Sequence, residues 1–256
     1  FSQAWYDEYF SRAAVSETHA RFCERVNGQD LCQHGLMNMR ELDLLVSLIE
    51  PGSRVLEVGC SNGRITEYIH DRTRSAILGL DFSDVAIEQA RQLTRDKADT
   101  LRFERVDLTQ EPIPGKDYDA IILIDSLYFL GDFDHSLPKF GERLGPSGKM
   151  LISVFEVQED EDPDGVLLPD GTYLAQALRK LGFEYAWYDF TADVREHGVR
   201  NYQVGEELKE DFVAEGNAFL YEARAAENRF FKEHAEKEEI ARYLYVATPL
   251  GRTRIA

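Results

Sequence analysis

The stretch VLEVGCSNGRI, Val55 to Ile65, decides how the chain is read. It opens as an apolar strand and passes into a loop that carries Gly59, Cys60, Ser61, Asn62 and Gly63. In an open α/β sheet, ligands bind beyond the carboxyl ends of the strands, where backbone N–H groups at a helix start can approach them. The choice of ligand turns on the loop's residues. A phosphate cradle needs Lys and then Ser or Thr after its second glycine, whereas Gly63 is followed by Arg64 and Ile65. A dinucleotide fingerprint needs a third glycine, and none follows. Glu57 at the strand end would repel a pyrophosphate. A carboxylate beside a glycine loop suits a ligand that is cationic at one end and has a ribose further on.

Working outward, NMRELDLLVSLIEPG places Met39, Leu42, Leu45, Val46 and Ile49 on one helical face. Asn38 is the expected cap, with Glu41 three residues later in the capping-box position and Pro51-Gly52 ending the helix. After the loop the pattern alternates. Strands are expected at Arg54 to Val58, Ala76 to Leu80, Leu101 to Val106, Tyr118 to Ile124 and Lys149 to Phe155, and helices over 63–71, 83–94, 134–144 and 172–181. AIILI and MLISVF are apolar throughout, as parallel strands covered on both faces must be. The expectation is an α/β fold with a doubly wound, mostly parallel sheet.

Both ends of the chain depart from that alternation. From Trp5 to Val26, aromatic and apolar residues recur at helical spacing with Ser16 as a cap and Gly28 as a stop, which predicts a helical N-terminal arm over 1–40. The core is expected over 41–190, ending in the strand LGFEYAWYDF. A helical cap follows over 191–240, whose charged helical stretch is read from 206 to 238, and RYLYVAT supplies the last strand before a tail, 241–256. Two late strands thus bracket a helical insertion, all within a single domain.

The 256 residues carry a formal net charge of -18, which disfavours nucleic acid as a partner and favours a small-molecule substrate, possibly a cationic one. No apolar run approaches the ~20 residues of a membrane span. Cys23, Cys32 and Cys60 match no zinc or redox spacing and suit a reduced, cytoplasmic compartment. The chain begins at Phe1, and nothing near it resembles a targeting sequence. DEDPDG, Asp160 to Gly165, matches the opening of a calcium loop, but Gly171 stands where the bidentate Glu is required, so no metal is expected.

Four motifs in order across about 55–155 make the chain resemble the class I S-adenosylmethionine-dependent methyltransferases. LEVGCSNG is similar to the family's E/D-x-G-x-G-x-G, with Ser61 in place of the middle glycine. In GLDFS, the resemblance implies that Asp81 accepts hydrogen bonds from the ribose hydroxyls and that Phe82 lies against adenine. In ERVDLTQ, Asp107 corresponds to the contact with the adenine amine, and Leu108 to its backbone N–H and apolar cover. In DAIILIDSLYFLGD, Asp125, Ser126, Leu127 and Tyr128 follow the strand nearest the methionine end. The family's sheet is seven-stranded and Rossmann-like, and its cofactor is S-adenosylmethionine.

Methyl transfer from a sulfonium is an in-line displacement, so the acceptor atom must be held close to the methyl carbon with water excluded. Tyr128 is the expected catalytic or orienting group, and His34, His135, Tyr9 and Tyr221 are substrate-side candidates, with Glu215 and the arm's Trp5, Tyr6 and Phe10 as further pocket residues. Two other uses of the fold stay open at this level: sulfonium chemistry other than methyl transfer, such as aminopropyl transfer or cyclisation, and a non-catalytic cofactor-binding or regulatory protein.

Overall fold

The computed structural model describes residues 2–159 and 161–250, so Asp160 of the acidic loop and the tail beyond Leu250 lie outside the described residues. Five parallel strands form the body of the sheet: β1 (Arg54–Val58), β2 (Ala76–Asp81), β3 (Leu101–Arg105), β4 (Tyr118–Ile124) and β5 (Leu144–Val157). Two late strands, β6 (Phe183–Asp189) and β7 (Ile240–Pro249), complete a seven-stranded sheet in the order β3-β2-β1-β4-β5-β7-β6. β7 inserts antiparallel between β5 and β6. The strand order reverses between β1 and β4, which places the crevice of a doubly wound sheet beyond the ends of those two strands.

Alternation along each strand feeds two apolar layers. Leu56, Ile121, Leu123 and Ile152 face one layer, where they meet Leu137 and Phe140 of α6 (Phe133–Gly141) and Leu174 and Leu178 of α7 (Tyr173–Lys180). Val55, Ile77, Ile122 and Leu151 face the other, against Leu42 and Leu45 of α3 (Met39–Ser47), Ile69 of α4 (Arg64–Thr73) and Ile87 of α5 (Asp84–Leu93). Burial on both faces accounts for the unbroken apolar runs of β4 and β5. β5 starts earlier than the sequence reading placed it, because Tyr118 pairs with Leu144 before a register shift.

The arm folds as α1 (Gln3–Ala13) and α2 (Glu17–Asn27), separated at Ser16, whose hydroxyl accepts from His19 N, and ended by Gly28 at φ +94°. The insertion is a hairpin of α8 (Thr191–Ala214) and α9 (Ala218–Glu236), so helix begins directly after β6 instead of near 206. The reason lies on its inner face. His197, Gly198, Asn201 and Gly205 are buried there and break up the apolar stripe that would mark a helix in sequence. A Cβ on Gly198 would stand 2.7 Å from the Phe231 carbonyl oxygen, so this glycine sets the close approach of α8 to α9. Arm and insertion share one core: Tyr9, Phe10, Phe22 and Val26 pack against Val204, Leu208, Phe212 and Leu220. They form a single helical layer over the switch point.

Candidate functional site

Under that layer lies a cavity of about 450 Å³, within the range of small-molecule sites. The glycine loop forms its floor. Gly59, at φ +76°, could not carry a side chain, since its Cβ would lie 2.8 Å from Ser126 Cβ. Gly63, at φ +78°, begins α4, and a Cβ there would stand 2.7 Å from Ala90 Cβ and 2.8 Å from Phe103 Cζ. Gly63 shapes the turn without lining the cavity. Ser61 adopts φ +55°, the left-handed conformation that a glycine would take without penalty, at a cost on the order of 1 kcal/mol. Its N–H donates to Asp81 Oδ2 at 2.9 Å, and Ser83 N–H donates to Asp81 Oδ1 at 2.9 Å, so the end of β2 ties the loop down.

Glu57, Cys60, Phe82, Asp107, Leu108, Asp125, Ser126, Tyr128 and His34 all line the cavity, as do Gly59, Ser61 and Asp81. The Cys60 thiol belongs to the apolar core and is pushed well up by burial. Asp107 is held below the usual carboxylate range by Thr109, whose hydroxyl (2.6 Å) and N–H (3.0 Å) both donate to Oδ1. Gln110 Nε2 donates to its Oδ2 at 3.0 Å. Burial, with the Asp81 carboxylate nearby, pushes Glu57 up to about 7. Three polar atoms in this floor are buried without any hydrogen-bond partner: Glu57 Oε2, Ser61 Oγ and Ser126 Oγ. Orphaned groups of this kind are expensive unless a ligand satisfies them. The set suits S-adenosylmethionine, whose ammonium and carboxylate need an anionic acceptor and hydroxyl donors.

Asp125 departs from its expected role as a cofactor ligand. Its oxygens are taken up by Arg242 Nη1 (2.7 Å) and Nη2 (3.1 Å) and by the Leu36 N–H (2.9 Å). The same guanidinium donates from Nε to Glu41 Oε2 at 2.7 Å and from Nη2 to Ser153 Oγ at 2.8 Å, while Ser153 Oγ donates to Glu41. Glu41 therefore does not fold back as a capping box. Asn38 caps α3 by accepting from the Glu41 N–H at 2.9 Å, but the Glu41 carboxylate points into the core and is raised by burial. This fully buried cluster joins α3, β4, β5 and β7, and through Leu36 it fixes the loop that walls the cavity. Two carboxylates face one guanidinium, so any loss of Arg242 strands buried negative charge.

The opposite wall comes from the helical layer. His34 is met edge-on by Trp5, Tyr6 and Tyr9, with ring centroids 5.8, 6.1 and 4.8 Å away. Burial, reinforced by Arg224, pushes His34 down to about 3, so it is a neutral imidazole, and its Nε2 has no hydrogen-bond partner. Tyr6 also meets Phe82 at 5.3 Å, linking the arm to the loop after β2. Tyr128 lines the cavity at 36% exposure and packs on Phe155 at 5.6 Å. Its ring edge is exposed while its hydroxyl is enclosed in the cavity, and that desolvation and the Asp125 carboxylate raise its phenol, so at neutral pH it is a hydrogen-bond donor instead of a base.

Tyr9, His135, Tyr221 and Glu215 do not reach the cavity. Tyr9 is wholly buried, its hydroxyl within 2.8 Å of His19 Nε2 and accepting from Arg224 Nε at 3.0 Å. His135 lies exposed on α6. Tyr221 donates to Glu206 at 2.6 Å on the outside of the hairpin. Glu215 accepts from the Ser16 hydroxyl and the Glu17 N–H, fastening α8 to the start of α2. In their place stand lining residues that the sequence reading passed over: Asn62, Phe155, and Glu227 and Phe231 of α9. For the buried cluster behind the cavity a signal did exist, charge in apolar strings: Glu41 in RELDLL and Arg242 in RYLYVA.

Residues 55–148 match the family model of the methyltransferase domain. The chain is 26% identical over 209 residues to phosphoethanolamine N-methyltransferase 3 of Arabidopsis thaliana, an alignment covering 78% of this chain and 43% of that protein. It spans less than half the length of the curated relatives it matches first. Among solved structures, the (4+2)-cyclase SpnF superposes with a TM-score of 0.67 at 22% identity, over 83% of this chain and 82% of that one. Phosphoethanolamine N-methyltransferase 2 of Haemonchus contortus, in complex with phosphomonomethylethanolamine and S-adenosylhomocysteine, superposes with a TM-score of 0.71 at 15% identity, over 95% of this chain and 60% of that one. At such identities the likeness is one of fold. With the domain matched over residues 55–148 and the four ordered motifs assembled around one cavity, the chain is similar to the class I S-adenosylmethionine-dependent methyltransferases.

Proposed function

We propose that the protein is an enzyme that transfers a methyl group from S-adenosylmethionine to a small-molecule acceptor by in-line displacement. One observation carries this reading: the cavity is continuous from the glycine loop, with its three orphaned polar atoms, to the wall supplied by the arm and α9. One ligand on the floor and a second under the helical layer would fill it. When bound, the cofactor supplies an electrophilic methyl group on a sulfonium. Glu57 Oε2 would accept from its ammonium, Ser61 and Ser126 hydroxyls would donate to its carboxylate, and Asp81 would accept from the ribose with the lone pairs left over from Ser61 N–H and Ser83 N–H. Phe82 and Leu108 would cover the adenine, with Asp107 near its amine. Tyr6, Phe155 and Phe231 would exclude water, and the protonated Tyr128 would orient the acceptor.

The net charge of -18 supports a small molecule over nucleic acid, and so does the lining, in which no Lys or Arg occurs among the described residues. No helix among the described residues is long and apolar enough to cross a membrane. The three cysteines are buried and unpaired, which supports a reducing, cytoplasmic setting. The test is incubation with isotopically labelled cofactor and a metabolite extract, followed by mass spectrometry. The expected result is a product heavier by one labelled methyl in place of hydrogen, with S-adenosylhomocysteine released. Methylthioadenosine without a methylated product would overturn the reading in favour of other sulfonium chemistry, and cofactor binding without turnover would favour a regulatory protein.

A further inference from the structure

The wall of the cavity made by α9 carries a carboxylate that no group among the described residues neutralises by a hydrogen-bonded ion pair. Glu227 lines the cavity, and its basic neighbour is His34, whose Nε2 stands 3.6 Å from Glu227 Oε2, beyond hydrogen-bond length. Arg224, one turn earlier on the same helix, is directed elsewhere. It donates to Tyr9 Oη at 3.0 Å and to the Gln33 carbonyl at 2.6 Å, with its guanidinium carbon 4.8 Å from the Phe22 ring centroid. The His34 Nε2 atom is itself buried without a hydrogen bond. Two groups without a hydrogen-bond partner therefore converge on one place in the cavity: the His34 nitrogen is suited to accept from an N–H, and the Glu227 carboxylate to accept from one or to take its proton. Aromatic rings line the same cavity: Tyr6, 6.1 Å from the His34 ring, and Phe155 and Phe231, 5.1 Å from each other.

A carboxylate among aromatic faces recognises a cation, through charge pairing and the negative faces of the rings. An anionic group brought to the same place would meet Glu227 with no Lys or Arg among the described lining residues to offset it, a buried like-charge contact that is strongly unfavourable. This separates the chain from what the name of its phosphoethanolamine-methylating relative would suggest.

We propose that the methyl acceptor is an alkylamine bearing no phosphate, whose ammonium is held between Glu227 and His34 and gives up one proton there before its nitrogen is methylated. The inference rests on the methyl-transfer reading of the same site. The step balances: an ammonium N–H bond breaks with its proton passing to the Glu227 carboxylate, and the freed nitrogen lone pair forms the new N–C bond. The C–S bond breaks with both electrons going to sulfur, leaving S-adenosylhomocysteine and an N-methylated ammonium product. Burial outweighs the opposing charge of Arg224 and raises Glu227 above the ordinary carboxylate range, which makes it a better proton acceptor than a surface carboxylate.

The test is a panel of alkylamines, their matched alcohols and thiols, and phosphorylated amines, assayed with cofactor and the full chain. Amines without phosphate are expected to be methylated. Glu227→Gln is expected to lower kcat/KM for them by about 30-fold or more, with cofactor affinity, which reports folding, unchanged within about twofold. Methylation confined to alcohols or thiols, preference for a phosphorylated amine over its free counterpart, or a Glu227→Gln variant as active as the wild type would each overturn the proposal. A second measurement needs no variant: calorimetric binding of a tetraalkylammonium ion and its neutral carbon isostere to the cofactor-saturated protein. Binding of the cation at least about tenfold tighter upholds the site, and equal binding overturns it. If no compound is methylated, the methyl-transfer reading falls, and this comparison still decides whether the ammonium site exists. It decides equally if Glu227→Gln does not fold.

Discussion

Glu57 offers a quantitative test of the cofactor site through pH. Its carboxyl is pushed up to about 7 because it is buried at the end of β1 with Asp81 nearby and Oε2 unpartnered. If Glu57 must be ionised to accept from the cofactor's ammonium, the dissociation constant scales as one plus the ratio of protonated to ionised Glu57. That factor is about 11 at pH 6 and about 1.1 at pH 8, so affinity should rise about tenfold between them. The ligand's own amine titrates too, which is why the quantity to measure is the ratio of Kd for Glu57→Gln to Kd for the wild type, by calorimetry at pH 6, 7 and 8. The ligand's titration cancels in the ratio, which should climb about tenfold over the interval. The same shift has a consequence for the free protein. The folded state holds the Glu57 proton more tightly than the unfolded chain does, so the unfolded state binds fewer protons, and stability falls as pH rises from the ordinary carboxylate range to about 7. A ratio constant within about twofold from pH 6 to pH 8 would refute the assignment of Glu57 to the ammonium.

If Asp81 accepts from the ribose as proposed, Asp81→Ala should weaken cofactor binding by about 10- to 100-fold, since it also removes the anchor of the Ser61 N–H; undiminished affinity by calorimetry would remove the ribose assignment. Arg242→Met should destabilise the protein by about 3–5 kcal/mol, read as a fall in Tm of about 10 °C, because Glu41 and Asp125 stay buried without their guanidinium. Adding Glu41→Gln and Asp125→Asn to that variant should recover part of the loss, and a single variant as stable as the wild type would contradict the buried-charge account. Ser61→Gly should leave thermal stability within about 1 kcal/mol, as relief at φ +55° offsets added chain entropy. Cofactor affinity in that variant should still drop by about fivefold if the orphaned hydroxyl serves the ligand.

Much of the site was legible because its parts are local. A strand end, a glycine turn and a helix start are contiguous in VLEVGCSNGRI, and the acids that close β2 and the β3 turn sit at strand boundaries marked by their own apolar runs. Ser61 stands where the motif has a glycine, and it takes the left-handed conformation at φ +55° that a glycine would adopt freely. Asp125 shows the limit. Its position after β4 was readable, but its partner lies on β7, and only the sheet order brings Arg242 across from it. Glu41 misled for a related reason, since a local rule offered it a backbone partner while the tertiary fold offered a buried guanidinium, the stronger charge-assisted bond.

The strands, the loops that floor the cavity and the family resemblance were readable from the chain alone, since strand and helix periodicity and turn chemistry act over a few residues and leave a local imprint. What lines the cavity opposite those loops came only from long-range packing. That packing made the arm and the α8–α9 hairpin one layer, turned Tyr9, Tyr221 and Glu215 away from the cavity, and brought Glu227 to 3.6 Å from His34. Those contacts join residues nearly two hundred positions apart, and which face of an amphipathic helix meets which neighbour is settled by packing across the whole chain, a constraint that no short window of sequence carries.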